Sequence, residues 1–286
     1  MQIAVIGAGY VGGRVLEGLG PGKAVAYGRS PSSGHAVQSL DLDHGPCAIA
    51  SMPEKIFYTV PPDPQAGSDP RLAALLATLD PAPERFVYLS TSGVYGDCKG
   101  ELVRESRQPA PVTPRAIRRH AAEKMLQDWC SKFATRCIIF RVPGIYGPGR
   151  LGVERIAAGE AYIREKDANP GNRIHADDLA AASIAALERN IPEGIYNVCD
   201  GDYRSATWFA LTVAKLAGLS PPPLISRSEA LASMSQLRLS FLAESRRLDT
   251  QKMREVLRFE PRYTNAEDGI RASLLADDLL RGQRTT

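Results

Sequence analysis

Ile3-Ala4-Val5-Ile6-Gly7-Ala8-Gly9-Tyr10-Val11-Gly12 runs from a short apolar strand pattern through a glycine-spaced turn into a helical pattern that continues to Leu19. A bare G-x-G-x-x-G is a weak signal, but between a strand and a helix each glycine acquires a geometric task. Gly7 permits the tight turn, Gly9 lets the main chain approach a pyrophosphate, and Gly12 allows helix and strand to pack in close contact. Phosphate then lies at the positive end of the helix, where main-chain N–H groups lack partners. The turn predicts a dinucleotide site, with Gly7, Gly9, Tyr10, Val11 and Gly12 as its contacts.

Outward from the turn, β-branched or aromatic runs alternate with helical patterns, as in successive βαβ units of a parallel sheet. Strands are expected at Gln2 to Ile6, Ala24 to Tyr27, Lys55 to Val60, Arg85 to Ser90, Thr135 to Arg141 and Gly194 to Val198. These runs are continuously apolar rather than alternating, as strands covered on both faces should be. Helices are expected near Val11 to Leu19, Arg71 to Leu79, Thr113 to Phe133 and Asp177 to Glu188. After about Ile145 the texture changes to helices joined by Pro/Gly/Ser loops, and Asp178 to Val198 returns to the first pattern. The reading is an α/β fold: a Rossmann doubly wound parallel sheet with a smaller, mostly helical C-terminal substrate lobe. Residues 1–145 and 176–199 form the nucleotide domain, and residues 146–175 and 200–286 the lobe.

Composition narrows the function. With 44% hydrophobic and 23% charged residues the chain can bury a sizeable core, and a net charge of +3 spread among 32 acidic residues gives no support to nucleic-acid or membrane-surface binding. The five cysteines lie far apart without metal-ligand spacing, which argues against a disulfide framework or a metal site. Met1 leads directly into the first strand without a basic leader, and no apolar run is long enough to span a membrane. The expectation is a soluble, reduced, cytoplasmic protein acting on a small molecule, with a homodimer left open.

The end of the second strand bears on the cofactor, because an acid there would bind the 2′-hydroxyl of NAD whereas an arginine accommodates a 2′-phosphate. The strand ends Tyr27-Gly28-Arg29-Ser30-Pro31 with no acid beside it. Arg29 and Ser30 favour NADP(H), with NAD as the alternative.

Arg85-Phe86-Val87-Tyr88-Leu89-Ser90-Thr91-Ser92-Gly93-Val94-Tyr95-Gly96 is followed by Arg141-Val-Pro-Gly-Ile-Tyr-Gly-Pro-Gly-Arg150 and by Asn172-Arg-Ile-His-Ala-Asp-Asp-Leu179. These motifs, in this order, resemble the extended short-chain dehydrogenase/reductase superfamily, which contains the NAD-dependent epimerase/dehydratase family. The resemblance implies that Asp41 contacts the adenine, and that Thr59, Val60 and Pro61 line the cofactor together with Ser90. It further implies that Thr91 hydrogen-bonds the reacting oxygen, and that Pro143 and Gly144 approach the nicotinamide. The glycine turn is one residue shorter than the superfamily's usual Gly-x-x-Gly-x-x-Gly. Ser92 and Gly93 stand where sugar-nucleotide dehydratases carry Asp and Glu, which disfavours dehydration.

Members of the superfamily move a proton through a Tyr followed one helical turn later by a Lys, and a Glu follows that Lys by four residues. Glu123 fixes the register, which puts Arg119 in the Lys position and Arg115 in the Tyr position; no Tyr occurs between Tyr95 and Tyr146. Arginine stays protonated and cannot shuttle the proton, but it binds phosphate or carboxylate bidentately. Arg115 and Arg119 read either as an anion clamp, Arg119 on the cofactor ribose and Arg115 on substrate, or with Arg118 as a solvated helix face. The residues left to move a proton are Tyr95, Tyr146, His120 and His175, each of which can equally be structural. Tyr95 is taken with Thr91 as the catalytic pair, and Tyr146, Arg150 and His175 as substrate contacts. The pair Asp177-Asp178 is expected to cap the helix that follows. Two functions remain: an NADP(H)-dependent oxidoreductase or epimerase acting on a carbonyl or carbinol carbon of a sugar nucleotide or other anionic substrate, and a non-catalytic NADP(H)-binding sensor or scaffold.

Overall fold

In the computed structural model the described residues are 2–29, 36–44, 49 and 52–284. Seven strands, β1 (Ile3–Ile6), β2 (Ala24–Gly28), β3 (Val37–Ser39), β4 (Lys55–Tyr58), β5 (Arg85–Thr91), β6 (Arg136–Val142) and β7 (Gly194–Asn197), make one parallel sheet in the order β7-β6-β5-β4-β1-β2-β3. Every strand expected from the apolar runs is present. The added strand β3 is three residues long, too short and polar to announce itself.

The pleat distributes the apolar runs to two faces. Ile3 and Val5 join Val87, Ile138 and Phe140 in a core closed by α1 (Tyr10–Leu19) and the helix Ala176–Glu188. Ala4 and Ile6 join Ile56, Tyr58, Phe86 and Tyr88 in a second core closed by α2 (Pro70–Leu76) and α3 (Pro114–Lys132). Burial on both faces explains why the strands read as continuous apolar runs. Helix starts follow ordinary capping chemistry: Asp69 accepts from Leu72 N before Pro70, and Thr113 accepts from Ala116 N before Pro114.

Two buried cations lock elements to the sheet. Arg85, 2% exposed, donates to the carbonyls of Ala186, Leu187 and Arg189, so its charge meets the negative end of the helix Ala176–Glu188. Arg141 on β6 donates from Nε and Nη2 to Glu123 on α3 at 3.2 and 2.7 Å. Ser90 Oγ on β5 donates to the same carboxylate, fixing the rotation of α3 over the sheet.

A third core, with Tyr146, Leu151, Ile156, Ala210, Val213 and Ile270, lies beside the sheet and is built on the helices Ala206–Leu216 and Ala266–Arg284. Among the described residues no helix is long and apolar enough to cross a membrane.

Candidate functional site

The strand order reverses between β1 and β4, and the carboxyl ends of β1, β4, β5 and β6 open there onto a cleft of about 1330 Å³. Such a crevice is where open α/β sheets bind their ligands. Gly7, Gly9, Tyr10 and Val11 form one wall; Gly12 lies buried behind them. Gly7 has φ +97°, a left-handed value that favours glycine, and its carbonyl accepts from Thr59 Oγ1 at 2.7 Å. A Cβ on Gly12 would collide with the Gly7 carbonyl oxygen, whereas one on Gly9 would meet nothing within 4 Å. Gly12 therefore closes the turn and Gly9 keeps open the space above the start of α1. The two glycines play the separate parts that a pyrophosphate-binding turn requires.

At the far end of the cleft, Leu40 and Leu42 supply apolar walls and Arg29 reaches in from β2. Arg29 Nη1 donates to Asp43 Oδ2 at 2.7 Å, and Arg71 Nε, from α2, donates to Asp43 Oδ1 at 2.5 Å. Arg71 Nη1 also donates to the Pro61 carbonyl. These bonds hold the Asp43 carboxyl below the usual carboxylate range, the hydrogen bond from Arg71 being the largest favourable cause. Asp41 accepts from Asp43 N and pairs with His44 at 2.7 Å, and it is Asp43 rather than Asp41 that lines the cleft. Sequence reasoning missed Asp43 and Arg71. The alternation Leu40-Asp41-Leu42-Asp43 placed two acids in reach, but nothing local tied Arg71, 28 residues on, to either. Ser30 lies outside the described residues.

The other end is lined by Val60, Pro61, Ser90, Thr91 and Pro143, with Arg115 and Arg119 above them. Thr91 Oγ1 accepts from Gly93 N at 3.2 Å, which orients the hydroxyl without burying it. Arg119 Nη1 donates to Tyr88 Oη at 2.9 Å and to the Val60 carbonyl at 3.4 Å. Arg115 and Arg119 share the face that the Ser90–Glu123 contact turns toward the cleft. Gly144 is exposed in a short strand paired with Arg173–His175, outside the lining.

Tyr95 is 1% exposed, donates to Asn197 Oδ1 at 2.8 Å and does not line the cleft; burial pushes its phenol up to about 12. His120 also stays outside the lining, 3.7 Å from Glu123, with burial lowering its pKa. Among the described lining residues there is no His, Lys or Cys, and the tyrosines are Tyr10 and Tyr27.

Tyr10 sits at the cleft entrance, its hydroxyl donating to the Pro148 carbonyl while Arg14 and Arg150 lie over its ring at 4.0 and 3.8 Å. Arg150 lines the cleft, but Tyr146 and His175 do not. His175, 1% exposed, caps the helix Ala176–Glu188: Nδ1 accepts from Asp177 N, leaving Nε2 to carry the proton toward Ser273 Oγ. Burial drives its pKa down to about 4, so the ring is neutral. The cap is thus His175, not the acidic pair expected to provide it. Asp177 pairs with Arg14, and Asp178 accepts from Arg262 N and Tyr263 N. Tyr146 packs edge-on against His175 and Phe209 and against Gly269, where a side chain would not fit.

Behind Tyr146, Asp200 is 1% exposed; one carboxylate oxygen accepts from Asp202 N and the other has no hydrogen-bond partner among the described residues. Burial pushes its pKa up to about 8 from an ordinary value of 3.8. The folded state therefore keeps a proton that the unfolded chain releases, so this carboxyl costs stability progressively as pH rises from about 4 to about 8. Asp200→Asn retains the acceptor and removes the charge. Its melting temperature is expected to exceed the wild type's by a margin that grows across that window. A constant difference between pH 4 and 8 in parallel calorimetric melts would contradict this ionisation.

Residues 69–199 match the family model described as NAD-dependent epimerase/dehydratase. Human dTDP-D-glucose 4,6-dehydratase is 27% identical over 142 residues, 47% of this chain and 39% of that protein. GDP-6-deoxy-D-mannose reductase of Pseudomonas aeruginosa is 27% identical over 131 residues, 41% of this chain and 43% of that one. The chain thus matches about two fifths of the length of each. A protein of Silicibacter pomeroyi, described as functionally unknown, superposes with a TM-score of 0.83 at 27% identity, over 96% of this chain and 98% of its own. UDP-glucose 4-epimerase of Thermotoga maritima superposes with a TM-score of 0.78 at 18% identity, over 96% and 98%; this is a likeness of fold.

Proposed function

We propose, on the premise that the chain belongs to the NAD-dependent epimerase/dehydratase family, that it binds NADP(H) in the cleft and acts as an oxidoreductase or epimerase on a carbinol or carbonyl carbon of an anionic substrate such as a sugar nucleotide. The observation that carries this reading is the charge of the cleft. Among the described residues, six arginines (Arg14, Arg29, Arg71, Arg115, Arg119 and Arg150) line it against three acids, Glu17, Asp43 and Asp177. That excess suits ligands bearing several phosphates, which arginine binds bidentately. The open space at Gly9 fits a pyrophosphate, and Arg29 suits a 2′-phosphate.

A bound nicotinamide would supply or accept hydride at the substrate carbon. The chain's own contribution is to hold that carbon's oxygen with Thr91, to neutralise anionic groups with Arg115 and Arg119, and to close the entrance with Tyr10 and Arg150. Ser92 and Gly93 leave dehydration without the acids it uses.

A second reading, a non-catalytic NADP(H)-binding sensor or scaffold, is favoured by the absence of His and Lys among the described lining residues and by the burial of Tyr95 against Asn197. Incubating the purified protein with NADPH and a panel of aldehydes, ketones and nucleotide sugars separates the two. Turnover reduced about 10-fold or more by Thr91→Ala supports the enzyme; tight NADPH binding with no turnover of any panel member supports the sensor. For the cofactor, Arg29→Ala is expected to weaken NADPH binding about 10-fold or more and NADH binding far less. Equal losses would remove the NADP(H) assignment.

A further inference from the structure

The proposed 2′-phosphate site contains more than the arginine at the end of β2. Asp43 bridges two guanidiniums, its Oδ2 taking a bond from Arg29 Nη1 and its Oδ1 one from Arg71 Nε. The Arg29 side chain is 63% exposed, whereas that of Arg71 is 13% exposed and anchored to the Pro61 carbonyl. All three side chains line the same end of the cleft, beside Leu40 and Leu42. A carboxylate and a phosphate monoester present the same chemistry to forked arginines: adjacent anionic oxygens that accept parallel N–H bonds.

We infer that Arg29, Asp43 and Arg71 form a cofactor-selecting triad in which Arg71 is a second ligand of the 2′-phosphate and Asp43 is an internal anion that competes with that phosphate for both guanidiniums. The inference rests on the proposed NADP(H) reading and extends it to two residues that no motif identifies. Charge gives the direction of each effect. Two guanidiniums against the one carboxylate they share leave these three side chains net positive, and an incoming phosphate exchanges the two contacts of Asp43 for two of its own while bringing the larger negative charge to them. With a cofactor lacking that phosphate, the arginines stay on Asp43, whose remaining lone pairs face the ribose as acceptors. Asp43 therefore moderates the preference that Arg29 and Arg71 create, and Arg71, being already held in place, loses less freedom on binding than Arg29.

The test uses two fragments that differ only in the 2′-phosphate, 2′,5′-ADP and 5′-AMP, titrated calorimetrically into wild type, Arg71→Ala, Arg71→Lys and Asp43→Asn, with melts to confirm that each variant folds. The readout is the ratio of the two dissociation constants. Arg71→Ala is expected to lower the preference for 2′,5′-ADP by about 10- to 100-fold while leaving 5′-AMP within about 3-fold, and Arg71→Lys, which keeps the charge without the fork, to fall between. Asp43→Asn is expected to raise the preference several-fold. A ratio unchanged by Arg71→Ala, or lowered by Asp43→Asn, would overturn the triad. A wild type that prefers 5′-AMP would instead remove the NADP(H) reading, and the triad is then judged on the variants' ratios alone.

Discussion

Alanine at position 12 is expected to abolish the proposed dinucleotide binding and to destabilise the fold. A Cβ there would strike the Gly7 carbonyl oxygen and would lie 3.0 Å from its carbon and 3.2 Å from Val5 Cγ1. Two of those three atoms are main chain, held in place by the Thr59 bond to Gly7 O and by Gly7 N donating to the Tyr27 carbonyl. Relief must come from shifting α1 off the turn, which costs about 1–3 kcal/mol or more by analogy with overpacked cores. Gly9→Ala is the informative partner. Its Cβ meets no protein atom within 4 Å, so the fold should change by less than about 1 kcal/mol. NADPH binding should nevertheless be lost, because the methyl group occupies the space through which the phosphates approach the main chain. Denaturant melts paired with calorimetric titrations check both. A Gly12→Ala protein that melts and binds like wild type would contradict the described turn.

The second large effect is at Glu123. Its side chain is 1% exposed and receives two bonds from Arg141, itself 2% exposed, and one from Ser90. Glu123→Ala leaves an uncompensated buried guanidinium and is expected to cost about 3–5 kcal/mol. Replacing both members, Glu123→Leu with Arg141→Met, should cost clearly less than the sum of the single changes, because no charge is then stranded. Urea denaturation of the two single variants and the double variant measures this coupling. A single-variant loss below about 1 kcal/mol would show that the pair is not the clamp described. The consequence reaches the cleft, since Arg115 and Arg119 stand two turns and one turn before Glu123 on α3, and the clamp sets which way they face.

The fold was legible because its signals are local and periodic. Val5 and Phe57 sit in apolar runs that only a doubly covered strand explains, and Asp69-Pro70 and Thr113-Pro114 mark helix starts by chemistry confined to a few residues. The glycine turn was legible for the same reason. The site was legible only as positions. Thr91, Arg115, Arg119 and Arg150 reach the cleft, but Tyr95 and His175, equally visible in their motifs, turn into the interior toward Asn197 and Ser273. Those partners are about a hundred residues away in sequence, and no periodicity reports on them. Asp43 and Arg71 escaped for the converse reason: they meet through space, from a loop and from the start of α2, without a shared motif.

A ligand seated on the Gly7 to Gly12 turn is tested most directly by calorimetric titration of NADPH into the wild-type chain and into Gly9→Ala, which differ by one methyl group. Saturable one-to-one binding to the wild type, lost in a Gly9→Ala protein with an unchanged melt, is the expected result. Equal binding by the two proteins, or none by the wild type, would contradict a dinucleotide in this cleft.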